Sequence, residues 1–299
     1  VALMARFGSV ITAMVTPFAS DGSLDTGAAA DLARWLVDHG NDALVLAGTT
    51  GESAVLTDPE RIELFRVVRA AVEVPLIAGS TTNDTAHSVD MTRAAAEAGM
   101  DAVLAVVPYY NKPPQSGLEA HFRAVAAASD LPVMLYDVPG RTGRALATET
   151  ILRLAHEVPT VVALKDAGGD PARAARLLAE APGGFEVYSG DEPLSLAFAA
   201  YGAVGVVGVA THWTGRQQRD LWDAVAKGDF AAARAVNVGL LDSFEYMNND
   251  TCVFSQAVKV AMGELGLTVG ECRLPLGPPP PETAARARPV LTDLGFDLS

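Results

Sequence analysis

The stretch TVVALKDAGG, residues 160–169, sets an unbroken apolar run, Val161 to Leu164, directly before Lys165. Consecutive apolar residues without alternation read as a strand buried on both faces, the mark of a parallel sheet covered by helices. A cation at the end of such a strand has two readings. Lys165 lays its stem along apolar surface and snorkels to solvent or pairs with Asp166. Alternatively, burial strips its ammonium of water. An amine whose ordinary pKa is about 10.4 then becomes a nucleophile near neutral pH, as a Schiff-base lysine must be.

Runs of the same kind recur on both sides of VVALKDA (161–167): SVITAMVT (9–16), ALVLAG (43–48), PLIAGS (75–80), DAVLAVVP (101–108), PVMLYDV (132–138), FEVYSGD (185–191) and AVGVVGVAT (203–211). The segments between them are helical. Thr26 to His39 places Leu32, Trp35 and Leu36 on one face, and Asp58 to Val72 brings Ile62, Leu64, Phe65 and Val68 to helical spacing. Asp58-Pro59-Glu60 and Asp170-Pro171 read as helix starts, a carboxylate N-cap followed by proline. Eight βα units at a period of roughly 25 to 32 residues predict a (β/α)8 TIM barrel of the α/β class. A doubly wound open sheet would carry a Gly-rich phosphate loop after its first strand, where this chain has TPFASDGSLD. From Asp229 onward the strand signal stops. DFAAARAVNVGLLDSFEYMNND, SQAVKVAMGELGL and PETAARARPVLTDLG read as helices, with PPPP (278–281) as a stiff connector. The expected organisation is a catalytic barrel over residues 1–227 and a C-terminal helical extension over 228–299.

The chain has 299 residues, 49% hydrophobic and 19% charged, as in a globular protein with a large core. A net charge of −14, from 22 Lys and Arg against 36 Asp and Glu, excludes a general affinity for nucleic acid or an anionic membrane. Small anionic substrates remain compatible, since a few Arg or backbone N–H groups bind them inside a cleft. No run approaches the roughly 18 apolar residues of a membrane span. VALMARFGSVITAMVTPF at the N-terminus lacks the order of regions that marks a secretory signal, so a cytoplasmic protein is expected. Cys252 and Cys272 form no CxxC, and the histidines at 39, 87, 121, 156 and 212 are scattered, so neither a disulfide framework nor a metal site is expected.

A barrel of this kind builds its site at the C-terminal rim. Thr16, GTTGES (48–53), Tyr109 and Tyr110, Tyr136 and Asp137, Arg141, Lys165 and Ser189-Gly190 all fall at strand ends. In GTTGES the glycines either allow a tight turn that offers N–H groups to an anion beside the hydroxyls of Thr49 and Thr50, or form a plain βα turn. In YDVPGRTG (136–143), Tyr136 suits proton transfer and Arg141 suits bidentate carboxylate binding. The rival reading pairs Arg141 locally with Asp137 or Glu149. Tyr109 and Tyr110 either pack or reach a partner subunit.

GTTGES, PYYNKP (108–113), YDVPGRTG and ALKDA, in that order and each at a strand end, resemble the class I pyruvate aldolase superfamily, most closely its dihydrodipicolinate synthase family. The resemblance spans about residues 9 to 227, and the family also carries a helical tail. It implies that Lys165 condenses with pyruvate to a Schiff base. The enamine then attacks aspartate 4-semialdehyde, and cyclisation releases an intermediate of diaminopimelate and lysine synthesis, without a cofactor. Thr49, Tyr136 and Tyr110 match the family's proton relay, with Tyr110 donated across a dimer interface. Thr50 matches the residue holding the pyruvate carboxylate and Arg141 the one binding the semialdehyde carboxylate, while Gly190 and Val207 match positions whose carbonyls lie near the lysine. A homotetramer, a dimer of dimers, is implied. Asp58, Arg61 and His87 depart from the pattern of members inhibited by lysine. Within the superfamily the alternative is a lyase for N-acetylneuraminate or a keto-deoxy sugar acid. Arg141, the double threonine and Tyr110 favour a short carboxylated aldehyde over a polyol. A non-catalytic barrel would have lost a relay residue, and none is lost.

Overall fold

A computed structural model describes residues 5–298. Its strands are β1 (Val10–Ala13), β2 (Ala43–Leu46), β3 (Leu76–Gly79), β4 (Ala102–Val106), β5 (Val133–Asp137), β6 (Val161–Asp166), β7 (Glu186–Ser189) and β8 (Gly205–Gly208). They follow one another in chain order around a closed parallel barrel, as the eight βα units require. The helices are α1 (Thr26–Asp38), α2 (Asp58–Ala71), α3 (Thr85–Glu97), α4 (Gln115–Ala126), α5 (Pro139–Thr142), α6 (Thr148–Glu157), α7 (Pro171–Glu180), α8 (Ser195–Ala200), α9 (Thr211–Ala226), α10 (Phe230–Gly239), α11 (Leu241–Met247), α12 (Phe254–Glu264) and α13 (Glu282–Asp293). No described helix is long and apolar enough to cross a membrane.

Each strand is shorter than its apolar run, and for β1 the reason is that burial continues past the end of the strand. Val15 is still fully buried, yet its N–H donates to the Nε2 of His212, 3.1 Å away, rather than to a strand. That ring nitrogen accepts, the Nδ1 lies 2.7 Å from the Val209 carbonyl, and burial holds the pKa of His212 down to about 4. The imidazole is therefore neutral and structural. The start of α2 differs from the sequence reading. Its N-cap is Thr57, whose hydroxyl accepts from Glu60 N while the Glu60 carboxylate accepts from Thr57 N, 2.8 Å away. Asp58 and Pro59 already lie inside the first turn, because this capping box satisfies two orphan donors where an Asp cap satisfies one. Asp170 does cap α7, accepting from Ala172 N at 3.1 Å, with Pro171 next.

The described residues form two compact units, 5–9 with 75–207, and 10–74 with 208–298. In the first, Ile77, Val103, Met134, Leu135, Ala163, Leu164 and Val187 are wholly inaccessible, the reason their strands carry no polar alternation. β5 and β6 pair with Tyr136 opposite Lys165 and Asp137 opposite Asp166, after an irregularity at Val133 and Met134. In the second unit β1 pairs with β2, Ile11 opposite Ala43, and the helices after residue 228 belong to the same unit. Its buried Thr12 hydroxyl donates to the Asn41 side chain and approaches the Thr211 hydroxyl at 2.7 Å.

Candidate active site

β6 delivers Lys165 to its C-terminal end, where the side chain is 5% exposed and makes no ion pair among the described residues. Its Nζ lies 4.4 Å from the centroid of the Tyr136 ring on neighbouring β5. Burial lowers the pKa of Lys165 to about 8; the negative field of Glu192 opposes that shift, and the positive field of Arg141 adds to it. At pH 7 about one amine in ten is then neutral, against about one in three thousand at the ordinary value. The snorkelling reading fails on burial, and the pairing with Asp166 fails because that carboxylate is already taken.

Arg173 of α7 takes it. Its Nε and Nη2 donate to Asp166 Oδ2 and Oδ1 at 3.0 and 2.5 Å, and its Nη1 donates to Asp137 Oδ2 at 2.7 Å. Asp137 Oδ1 accepts from Leu146 N at 3.0 Å, so both buried carboxylates are fully engaged one residue beyond Tyr136 and Lys165. Burial nevertheless leaves the pKa of Asp137 raised. The two local partners within reach of Arg141 by sequence are likewise occupied, Asp137 by Arg173 and Glu149 by Arg176 at 3.1 Å. Gly190 N–H donates to the Asp166 carbonyl at 2.7 Å, and a Cβ there would lie 2.9 Å from Ala167 Cβ. Val207 is wholly buried on β8. Tyr188, opposite Lys165 on β7, has its hydroxyl donating to Glu186 at 2.8 Å, and burial keeps it protonated.

Tyr110 is 87% exposed, at the left-handed φ of +72°, and Lys112 follows at +47°. Non-glycine residues in this region cost on the order of 1 kcal/mol each. The turn holding them has Asn111 N donating to the Tyr109 carbonyl at 2.9 Å and the Asn111 amide donating to the Asn83 carbonyl at 3.0 Å.

Thr49 and Thr50 lie in the second unit, Thr49 exposed and Thr50 buried. The loop that carries them differs from the sequence reading in its physical cause. Neither Gly48 nor Gly51 has a positive φ; the left-handed residues are Ala47 (+51°) and Glu52 (+57°). Gly51 is required by close approach, because a Cβ would sit 2.9 Å from the Met14 carbonyl oxygen, and Thr16 Oγ1 donates to the Gly51 carbonyl at 2.6 Å.

The structure thus brings Lys165, Tyr136 and Arg141 into one neighbourhood. Sequence reasoning missed Glu192 and Arg173. Glu192 follows a strand-end Ser-Gly-Asp that reads as a plain turn, and the spacing of Arg173 on α7 gives no sign of which way it reaches.

The family model for the dihydrodipicolinate synthetase family matches residues 6–293. A 4-hydroxy-tetrahydrodipicolinate synthase from Thermosynechococcus vestitus is 45% identical over 98% of this chain and 99% of its own length. The crystal structure of a dihydrodipicolinate synthase from Bacillus anthracis superposes with a TM-score of 0.93 at 40% identity, covering 98% of this chain and all of that one. The chloride-inhibited dihydrodipicolinate synthase of Acinetobacter baumannii, complexed with pyruvate, superposes with a TM-score of 0.90 at 34% identity over 98% of this chain and 100% of that one. With near-complete coverage on both sides and a matching barrel, this chain belongs to the dihydrodipicolinate synthetase family.

Proposed function

We propose that this chain condenses pyruvate, held as an imine on Lys165, with L-aspartate 4-semialdehyde, and so acts as a lyase in diaminopimelate and lysine biosynthesis. The observation that carries the reading is the buried Lys165 amine on the Tyr136 ring with its pKa lowered to about 8. The neutral Nζ adds to C2 of pyruvate, and the carbonyl oxygen leaves as water after two proton transfers. A proton lost from C3 gives the enamine, and C3 attacks the aldehyde carbon of the semialdehyde, whose oxygen takes up a proton. The amino group of the semialdehyde then displaces Nζ at C2, closing the ring and freeing Lys165.

Tyr136, Thr49 and Tyr110 move the protons. A hydroxyl relay suits a site that must protonate an oxygen and deprotonate a carbon in turn. Thr50 holds the pyruvate carboxylate, Arg141 holds that of the semialdehyde by charge-assisted hydrogen bonds, and Gly190 and Val207 present carbonyls near Lys165. The exposure and left-handed backbone of Tyr110 support its donation to a partner subunit, hence a homotetramer built from dimers. The catalytic unit is the barrel of residues 1–227, with 228–299 as its helical extension, and the protein works in the cytoplasm.

A coupled assay with pyruvate and alternative acceptors tests the assignment. Aspartate 4-semialdehyde should be preferred over sugar aldehydes, and preference for sugars would reject it in favour of a sugar-acid lyase. Arg141→Ala should raise KM for the semialdehyde roughly tenfold or more, the loss of a charged hydrogen bond, with little change in the KM for pyruvate.

A further inference from the structure

Glu52 closes the GTTGES loop, and its side chain is 1% exposed. Its Oε1 lies 2.8 Å from Nζ of Lys259, a residue of α12 that is itself 3% exposed. Its Oε2 accepts from the backbone N–H of Arg273 at 2.9 Å. Lys259 also donates to the Glu271 carbonyl at 2.9 Å, and both Lys259 Nζ and the Arg273 guanidinium sit 4.2 Å from the Phe18 ring centroid. Arg273 continues outward to the Gly22 and Val55 carbonyls, at 2.8 and 2.9 Å, and to Glu60. The segment carrying these groups is fixed in turn, since Phe18 N donates to the Val269 carbonyl at 3.1 Å and Gly270, at φ +66°, leaves no room for a Cβ against the Phe18 oxygen.

A buried ion pair is a poor source of stability, because the desolvation of both charges offsets their attraction, and an apolar pair of similar volume does as well. Its effect here is conformational. Glu52 holds a left-handed backbone that a non-glycine residue avoids, and its N–H donates to the Thr49 carbonyl at 3.1 Å. The carboxylate is thus tied by Lys259 and Arg273 while the backbone of the same residue sets the turn bearing Thr49 and Thr50. We propose that Glu52, held by Lys259 and the Arg273 backbone, is a positioning residue that sets the Thr49-Thr50 loop to receive the carboxylate of pyruvate. The C-terminal segment, through α12 and residues 269–273, therefore acts in substrate binding. This rests on the assignment of Thr50 to that carboxylate.

The test is borohydride trapping at Lys165 as a function of pyruvate concentration, in the wild type, in Glu52→Gln and in Glu52→Gln/Lys259→Met, with melting temperatures measured alongside. Glu52→Gln keeps the acceptor for Arg273 N, and the double variant removes both buried charges, so fold is retained in at least one of them. The half-saturating pyruvate concentration should rise roughly tenfold while the trapping rate at saturation changes less than about twofold, because Lys165 is untouched. In the double variant the melting temperature should return to the wild-type value while the pyruvate dependence stays weakened, a split that a purely structural role would not give. A folded variant with wild-type pyruvate dependence overturns the proposal. Absence of trapping in the wild type would instead overturn the Schiff-base reading.

Discussion

Lys165 owes its chemistry to where β6 ends. The apolar run that forms the strand also desolvates the amine, and burial outweighs the opposing field of Glu192, so the net shift is downward to about 8. Imine formation with pyruvate should therefore rise about tenfold per unit as pH climbs toward 8 and level off above it, a profile read from trapping rates between pH 6 and 10. The same shift acts on stability with a definite sign. The folded pKa lies below the unfolded one, so the charged form destabilises the fold fully below about pH 8, and the penalty fades as pH rises toward 10.5. Lys165→Met should thus stabilise the chain on the order of 3 kcal/mol at pH 7 in urea unfolding, with the gain shrinking above pH 8. Lys165 is legible in the sequence because a cation directly after four apolar residues must either snorkel, pair or react. Glu192, Arg173 and the anchoring role of Glu52 are not, since each acts through a partner distant in sequence that spacing does not reveal.

At the scale of elements, β5 and β6 are held by one arginine shared between two buried carboxylates. Arg173→Ala would leave Asp137 and Asp166, opposite each other in the ladder, without a counter-charge. It should cost about 3 kcal/mol or more in urea unfolding and displace Tyr136 and Lys165 enough to slow trapping. Thr57→Ala should cost about 1 kcal/mol through the capping box of α2, with trapping unchanged. All eight strands and the principal helices are readable from the apolar runs and their 3.6-residue spacing. Their ends are not. The run SVITAMVT continues for three residues past the end of β1 because Met14, Val15 and Thr16 are buried as deeply as ladder residues, and hydropathy cannot tell a ladder partner from the His212 side chain. The cap of α2 falls on Thr57 rather than Asp58 because Thr57-Asp58-Pro59-Glu60 is a T-x-x-E capping box, a signal in the sequence that the Asp-Pro pattern overshadows.

For the whole molecule, Tyr110 is 87% exposed on a left-handed turn, as the proposed donation to a partner subunit requires. Tyr110→Phe should lower turnover roughly tenfold or more with melting temperature and oligomer mass unchanged, as light scattering and a coupled assay would show. Unchanged turnover would remove Tyr110 from the relay. The central claim, that Lys165 carries pyruvate, can be put to the entire chain at once because it has only four lysines, at 112, 165, 227 and 259. Lys112 and Lys227 are exposed, whereas Lys259 is buried with a lowered pKa and is therefore a genuine internal rival. The decisive measurement is reduction with borohydride in the presence of pyruvate, followed by peptide mass mapping. A single reduced pyruvyl adduct on Lys165, absent when pyruvate is omitted, is the predicted result; an adduct on Lys259 instead, or none on any lysine, would contradict it.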